Sequence, residues 1–134
     1  YYGSDPSELR QYVWSLIRRL AILAVVILTV VLPASRSLVE LFGQGFAPAS
    51  TALAVLLFAQ ASQVVFGPVR TALVMVGREG LVTRAFLAAA ILNVVLNLAL
   101  IPVFDIMGAA ISTLVALWAR NAYLASAFQR VVNE

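Results

Sequence analysis

The stretch LAILAVVILTVVL, residues 20–32, decides the fold, because it runs for thirteen residues without a charge. Arg19 precedes it and Arg36 follows it, and arginine side chains at the ends of an apolar segment can reach the water interface. A helix that includes these flanking residues is long enough to cross a bilayer, which takes about 20 residues. We therefore predict a first membrane span over about residues 12–35.

The composition extends this prediction to the whole chain. Of the 134 residues, 63% are hydrophobic and only 11% are charged, and the mean hydropathy is +0.99. A water-soluble domain of this length needs far more polar surface. Three further apolar runs predict spans over about 47–76, 81–102 and 107–130. The expected fold class is an all-α membrane protein with about four transmembrane helices.

Glycine and proline divide the runs. Pro33 fits a helix end or a kink, Gly67-Pro68 predicts a kink or local break inside the second span, and Pro102 ends the third. Three segments are expected to connect the four spans: a breaker at Gly43-Gln44-Gly45, a tight polar turn at Gly77-Arg78-Glu79-Gly80, and a short turn at Phe104-Asp105. Asp5 can cap the first helix, ahead of Pro6 and Glu8.

Residue types exclude several function classes. The chain has no cysteine and no histidine, so it has no disulfide, thiol or histidine–metal chemistry of its own. Its carboxylates fall in predicted loops or ends, and it has no Walker A loop. We expect no enzyme activity, no cofactor and no metal. The arginines are scattered without a basic run, which argues against a nucleic-acid partner.

The arginines predict the orientation. One set of predicted ends and loops holds most of them, and the other holds Arg36 with Glu40 and Asp105. The positive-inside rule places both termini of this segment and the 77–80 turn in the cytoplasm of a multi-pass plasma-membrane protein. The arginines on the cytoplasmic side are Arg10, Arg18, Arg19, Arg78, Arg84 and Arg130.

The second span carries a polar stripe, with members spaced three, four, three and one residues apart, so that they share one helix face. Polar groups are costly in hydrocarbon, and such a stripe is expected to face a bundle interior or a wet cavity. Glutamine contacts between helices, and an Arg70 that reaches the cytoplasmic interface, are the alternative interpretation. The stripe consists of Gln60, Gln63, Gly67, Arg70 and Thr71.

The fourth span places Arg120 about 20 Å from its start, near the middle of a bilayer. A central arginine costs about 2.5–3.5 kcal/mol on insertion scales. We expect it to face inward with Thr113 and to meet an anionic substrate, or to pair with an acidic residue outside this segment. Leu124 and Phe128 are expected on the opposite side of the helix. The candidate substrate-binding residues are Arg120, Arg70, Gln63, Gln60 and Thr113.

Asn93 and Asn97 lie one turn apart on the third span and share a face with Ala89 and Ala90. Amides together with small residues are typical of close helix packing in membranes. We therefore favour a packing role over substrate contact for both asparagines.

The order of these features resembles the C-terminal part of a polysaccharide-biosynthesis flippase of the multidrug/oligosaccharidyl-lipid/polysaccharide exporter superfamily. The resemblance covers about residues 12–130. It rests on LFGQGF at 41–46, LVMVGR at 73–78, LNVVLNLALIP at 92–102 and FDIMGAAIST at 104–113. Members usually have glycine where this chain has Asp105, a replacement expected to matter little in a turn.

This resemblance implies that residues 1–134 are the C-terminal transmembrane portion of a longer protein, forming part of one bundle of a two-bundle flippase. It implies transport of a lipid-diphosphate-linked oligosaccharide from the cytoplasmic to the outer leaflet of a bacterial or archaeal inner membrane by alternating access. The implied partners are membrane lipids, that substrate and the remaining helices. Arg120 and Arg70 are candidates for holding the diphosphate.

Three alternatives stay open at this stage. A multidrug/cation antiporter or a lipid II flippase would share the scaffold, although an antiporter is expected to carry an acidic residue in mid-span. A non-transporting subunit of four helices is the third. Inward-facing arginines argue mildly against a pure scaffold, which gains nothing from their insertion cost.

Overall fold

The computed structural model describes residues 6–40 and 47–133, and this part of the chain is helical without a strand. The helices are α1 (Pro6–Glu40), α2 (Ala47–Met75) and α3 (Glu79–Asn133). All three are long and apolar enough to cross a membrane. The predicted all-α membrane class is therefore supported. Asp5 and the Gly43-Gln44-Gly45 breaker lie outside the described residues.

The prolines do not end the helices. α1 runs through Pro33 to Glu40, and α2 runs through Gly67 and Pro68 to Met75. α1 therefore does not end at Pro33 and α2 does not break at Gly67-Pro68, whereas the kink predicted as the alternative at each site stays a prediction. A proline removes only one backbone donor, and its fixed φ is compatible with a helix, so a long apolar helix can continue through it.

A Schellman turn joins α2 to α3 at the predicted position. Gly77 has a φ of 74°, which glycine adopts without steric cost. The Gly77 amide donates to the Val74 carbonyl at 3.0 Å, and the Arg78 amide donates to the Leu73 carbonyl at 2.9 Å. These bonds satisfy the last carbonyls of α2 and let α3 begin at Glu79, whose charge suits a helix N-terminus.

α3 reverses its direction at Asp105, where φ is 49° and ψ is −129°. In a straight helix, Phe86 and Arg120 would lie about 51 Å apart. Instead, the Arg120 guanidinium carbon lies 4.3 Å from the centre of the Phe86 ring. α3 is therefore a hairpin of two antiparallel arms, called here the first arm (79–104) and the second arm (106–133).

This hairpin refines two predictions. The short turn expected at Phe104-Asp105 is where the chain reverses, whereas Pro102 lies within the first arm and does not end it. Non-helical backbone at Asp105 separates the two arms, and within the described residues α1, α2 and α3 are the three segments long and apolar enough to cross a membrane.

The arms approach closely near the reversal because of one glycine. A Cβ atom on Gly108 would overlap the backbone of Leu100 and Ile101. The absence of a side chain at Gly108 thus allows the second arm to pass against the first.

α2 lies between α1 and α3 and makes most of the contacts with both, whereas α1 and α3 barely touch. The apolar core is built around the α2–α3 turn. Leu124 and Phe128 belong to this core, which corrects their expected place on the side of the helix away from Arg120. The buried core residues are Val13, Ile17, Val69, Ala72, Leu73, Val82, Ala85, Leu124 and Phe128.

Large apolar side chains outside this core remain exposed along α1 and along the first arm. Val30 of α1 is 67% exposed, and Leu98 of the first arm is 75% exposed. Contiguous apolar faces of this kind suit a lipid surround and are unfavourable in water. The exposed faces include Ile22, Val25, Val26 and Val30 of α1 and Leu87, Ile91, Val94 and Leu98 of the first arm.

Candidate functional site: a cationic cavity between α2 and α3

Arg120 is the charged residue at the centre of the site, and only 9% of its surface is exposed. Its Nη2 donates to Oε1 of Gln63 on α2 at 3.0 Å and to Oδ1 of Asn121 at 3.4 Å. Both acceptors are neutral amides. Hydrogen bonds to a charged group are worth about 1.5–3 kcal/mol, and here they hold the guanidinium without neutralising its charge.

A second polar chain fixes one of these acceptors. Nδ2 of Asn121 donates to Oγ of Ser62 at 3.2 Å, and Oγ of Ser62 donates to the Ala59 carbonyl at 2.6 Å. Asn121 and Ser62 are both buried. The amide of Asn121 is thereby oriented with its oxygen toward Arg120, so the second arm is joined to α2 by two adjacent polar contacts.

The Phe86 ring lies close to two arginines. The guanidinium carbon of Arg120 is 4.3 Å from the ring centre, and that of Arg70 is 5.9 Å from it. An aromatic ring within about 6 Å of a cation attracts it through the ring quadrupole. Phe86 therefore offsets part of the repulsion between the Arg70 and Arg120 guanidinium groups, which line the same cavity.

These residues surround a partly open cavity of about 290 Å³. Within the part of the chain that the structure describes, its wall contains two guanidinium groups and no carboxylate. Nε of Arg120 is buried and has no hydrogen-bond partner among the described residues. The site thus combines positive charge with an unsatisfied donor, a combination that favours an anionic ligand. The lining residues are Gln63, Val64, Phe66, Gly67, Arg70, Phe86, Arg120, Asn121 and Leu124.

The cavity lies in the half of the bundle that contains the α2–α3 turn. At the helical rise per residue, Arg70 is about 10 Å and Gln63 about 21 Å from Gly77 along α2. Arg70 is exposed whereas Arg120 is buried. Both guanidinium carbons nevertheless lie within 6 Å of the Phe86 ring centre, so the two cations line the same part of the cavity.

Three of the five candidate binding residues meet here, namely Gln63, Arg70 and Arg120. Gln60 is one turn away and accepts a hydrogen bond from Nε2 of Gln63 without lining the cavity. Thr113 is not part of the cavity, because it lies two helical turns from Arg120 toward the reversal.

Thr113 instead joins the two predicted packing residues. Nδ2 of Asn97 donates to Oδ1 of Asn93 at 2.8 Å, and Nδ2 of Asn93 donates to Oγ1 of Thr113 at 3.4 Å. This ladder links the first arm to the second. Asn93 therefore makes the contact between the arms, Asn97 bonds only within its own arm, and the packing role of the two asparagines stays a prediction.

Three residues of the site are not among those predicted from the sequence, namely Ser62, Phe86 and Asn121. Ser62 and Asn121 directly adjoin Gln63 and Arg120, so a search for polar neighbours of the singled-out residues would have found them. Phe86 carries no such signal, because its role depends on the antiparallel pairing of the arms. Among the described residues, no cluster of acidic or other metal-ligating side chains is present.

No protein-family model, curated protein or solved structure matches this chain. The geometry of the cavity therefore carries the functional argument.

Proposed function

We propose that this chain is the C-terminal transmembrane portion of a flippase that moves a lipid-diphosphate-linked oligosaccharide to the outer leaflet by alternating access. In this proposal the first and second arms of α3 each cross the membrane, which gives four crossings together with α1 and α2. They form part of one bundle, and the remaining helices of the full-length protein supply the other bundle.

The observation that supports the proposal best is the buried Arg120, which is held by amides instead of a carboxylate. A guanidinium already paired with a carboxylate has little left to offer a ligand. Arg120 keeps its charge and its Nε donor, and Arg70 adds a second cation to the same wall. Arginine is well suited to phosphate because its planar fork can donate two parallel hydrogen bonds.

Two cations near one aromatic ring on the same cavity wall fit a diphosphate, which carries several negative charges, better than a single small anion. Arg70 lies nearer the α2–α3 turn, and we propose that this turn and both termini of the segment face the cytoplasm of a bacterial or archaeal inner membrane. A substrate from the cytoplasmic leaflet would then meet the exposed Arg70 before the buried Arg120.

The alternatives make different demands on the same cavity. A multidrug/cation antiporter has to hold a cation, and two guanidinium groups without a carboxylate oppose that within the described residues. A lipid II flippase fits the diphosphate chemistry equally well and differs in the sugar. A non-transporting four-helix subunit has no need for a buried charge with an unsatisfied donor.

The test is transport by the full-length protein in liposomes. A fluorescent lipid-diphosphate oligosaccharide on the outer leaflet is bleached by dithionite, and the protected fraction reports movement. We expect Arg120→Gln to lower the rate by about tenfold or more, since it removes one charge-assisted contact. The matched control is Arg130→Gln, an exposed arginine in the last turn of α3.

The outcomes separate the candidates. Movement of the lipid-diphosphate oligosaccharide that depends on Arg120 supports the flippase. Faster movement of lipid II than of other lipid-linked oligosaccharides would identify the protein as a lipid II flippase. Uptake of a lipophilic cation with no movement of the diphosphate would assign the antiporter. Absence of any transport by a well-folded protein would leave the non-transporting subunit.

A further inference from the structure

A second cavity lies between the two arms of α3, with a volume of about 270 Å³. Four of its lining residues are alanines, and the small side chains leave a shallow groove along the hairpin. The groove is distinct from the cationic cavity, except that Arg120 lines both. Its lining residues are Arg84, Ala85, Ala88, Ala89, Leu92, Ala119, Arg120 and Tyr123.

The groove has a polar end and an apolar end. Arg84 and Tyr123 lie at the end nearer the α2–α3 turn, whereas Leu92 lies about 12 Å deeper along the first arm. Arg120 lies on the wall between them. This order matches an amphiphile that has an anionic head and a hydrocarbon chain pointing toward the middle of the membrane.

Arg120 supplies the observation that ties the groove to a ligand. It is buried, it lines both cavities, and its Nε has no partner among the described residues. A phosphate in the cationic cavity and a chain in the groove would therefore both contact Arg120.

We propose that the alanine groove holds the hydrocarbon chain of the lipid diphosphate whose head occupies the cationic cavity. The inference rests on the proposed function and adds to it a binding site for the lipid part of the substrate. The groove is a single channel between two helices, so the occupant is one chain of the substrate. A bulk phospholipid, which carries two chains, is the competing occupant.

The experiment measures binding to the full-length protein in detergent. The probes are farnesyl diphosphate, which has one chain, and methyl diphosphate, which has essentially none. Ala88→Trp fills the groove from the first arm, and Ala119→Trp fills it from the second. Both alanines are exposed, so neither change disturbs the core. The matched control is Ala90→Trp, an exposed alanine of the first arm that lines neither cavity.

We expect both groove variants to weaken farnesyl diphosphate binding by about tenfold or more, because the chain loses its apolar contacts. Methyl diphosphate affinity is expected to stay within about twofold, and Ala90→Trp is expected to change neither. Arg120→Gln is expected to weaken both probes, because both carry the diphosphate.

Unchanged farnesyl diphosphate affinity in Ala88→Trp and Ala119→Trp would overturn the groove proposal, even with the Arg120→Gln effect intact. Displacement of farnesyl diphosphate by phosphatidylglycerol, with the same sensitivity to Ala88→Trp, would also overturn it by assigning the groove to bulk lipid. If Arg120→Gln leaves both affinities unchanged, the proposed function fails and the shared-site proposal falls with it. That pattern differs from a groove failure alone.

Discussion

The guanidinium of Arg120 donates to Oε1 of Gln63 across the α2–α3 interface at 3.0 Å. A neutral amide in this position satisfies one donor while the positive charge persists. Gln63 can therefore affect both the stability of the protein and its affinity for anions. One substitution of Gln63 tests the effect on stability, and another tests the effect on anion binding.

Gln63→Leu removes the acceptor and leaves a buried guanidinium donor unsatisfied. We expect it to destabilise the protein by about 1–3 kcal/mol. Thermal unfolding of the purified protein in detergent measures this effect. Gln11→Leu, an exposed glutamine on α1, is the control and is expected to change the midpoint little. Equal stability of the two variants would contradict the buried contact.

Gln63→Glu keeps an acceptor and adds a negative charge next to Arg120. Since a buried ion pair roughly breaks even in free energy, we expect stability to change by no more than about 1 kcal/mol. Pyrophosphate binding, measured by titration calorimetry, is expected to fall by about tenfold because the new carboxylate competes for the guanidinium. An undiminished affinity would show that the charge of Arg120 does not serve the anion.

Gly108→Ala tests the close approach of the two arms. A Cβ atom there would overlap the Leu100 carbonyl, so the arms have to separate. We expect a loss of about 1–3 kcal/mol of stability, as in other overpacked sites. Gly80→Ala is the matched control, because a Cβ at Gly80 meets nothing within 4 Å. A thermal midpoint for Gly108→Ala equal to that of Gly80→Ala would contradict the hairpin geometry.

Asp105→Gly tests the strain at the reversal. A non-glycine residue with this φ and ψ costs about 1–3 kcal/mol of stability, and glycine removes this strain. Glycine also loses more conformational entropy on folding, which costs about 0.5–1 kcal/mol and offsets part of the gain. We therefore expect a net stabilisation of about 1 kcal/mol in thermal unfolding. Asp105→Ala retains a Cβ and is expected to give no gain. The same result for both variants would contradict the positive φ.

The sequence predicted much of this arrangement, because hydropathy and breakers are local signals. The apolar runs gave the helices, and Gly77 gave the turn between α2 and α3. The prolines were ambiguous signals, because a proline inside a long apolar helix can either end the helix or remain within it at the cost of a hydrogen bond. Asp105 was expected to matter little, yet its left-handed φ makes glycine the better residue at that position.

The candidate site was predictable in part for a similar reason. Helical spacing placed Gln63 and Arg70 on one face, and the depth of Arg120 suggested that it faces inward. Spacing says nothing about which helices meet. Phe86 and the alanine groove depend on how the two arms of α3 pair. Thr113 shares a face with Arg120 but lies two turns away, outside the cavity.

The central claim is that the cavity beside Arg120 is accessible to water and positively charged, and one thiol measurement tests both properties. The chain has no cysteine, and Gly67 lines the cavity with free space at its Cβ position. Gly67→Cys therefore places a thiol in the cavity of the full-length protein, after replacement of any cysteine outside this segment. Leu57→Cys, on the same helix but lining neither cavity, is the control.

The measurement is the ratio of the reaction rates of Gly67→Cys with an anionic and a cationic methanethiosulfonate. A positive cavity raises the local concentration of anions, so we predict an anionic reagent that reacts about tenfold faster. Addition of Arg120→Gln is predicted to lower this ratio severalfold, and Leu57→Cys is predicted to react slowly with both reagents. A ratio near one that Arg120→Gln does not change, or equal reactivity at Gly67 and Leu57, would contradict the account.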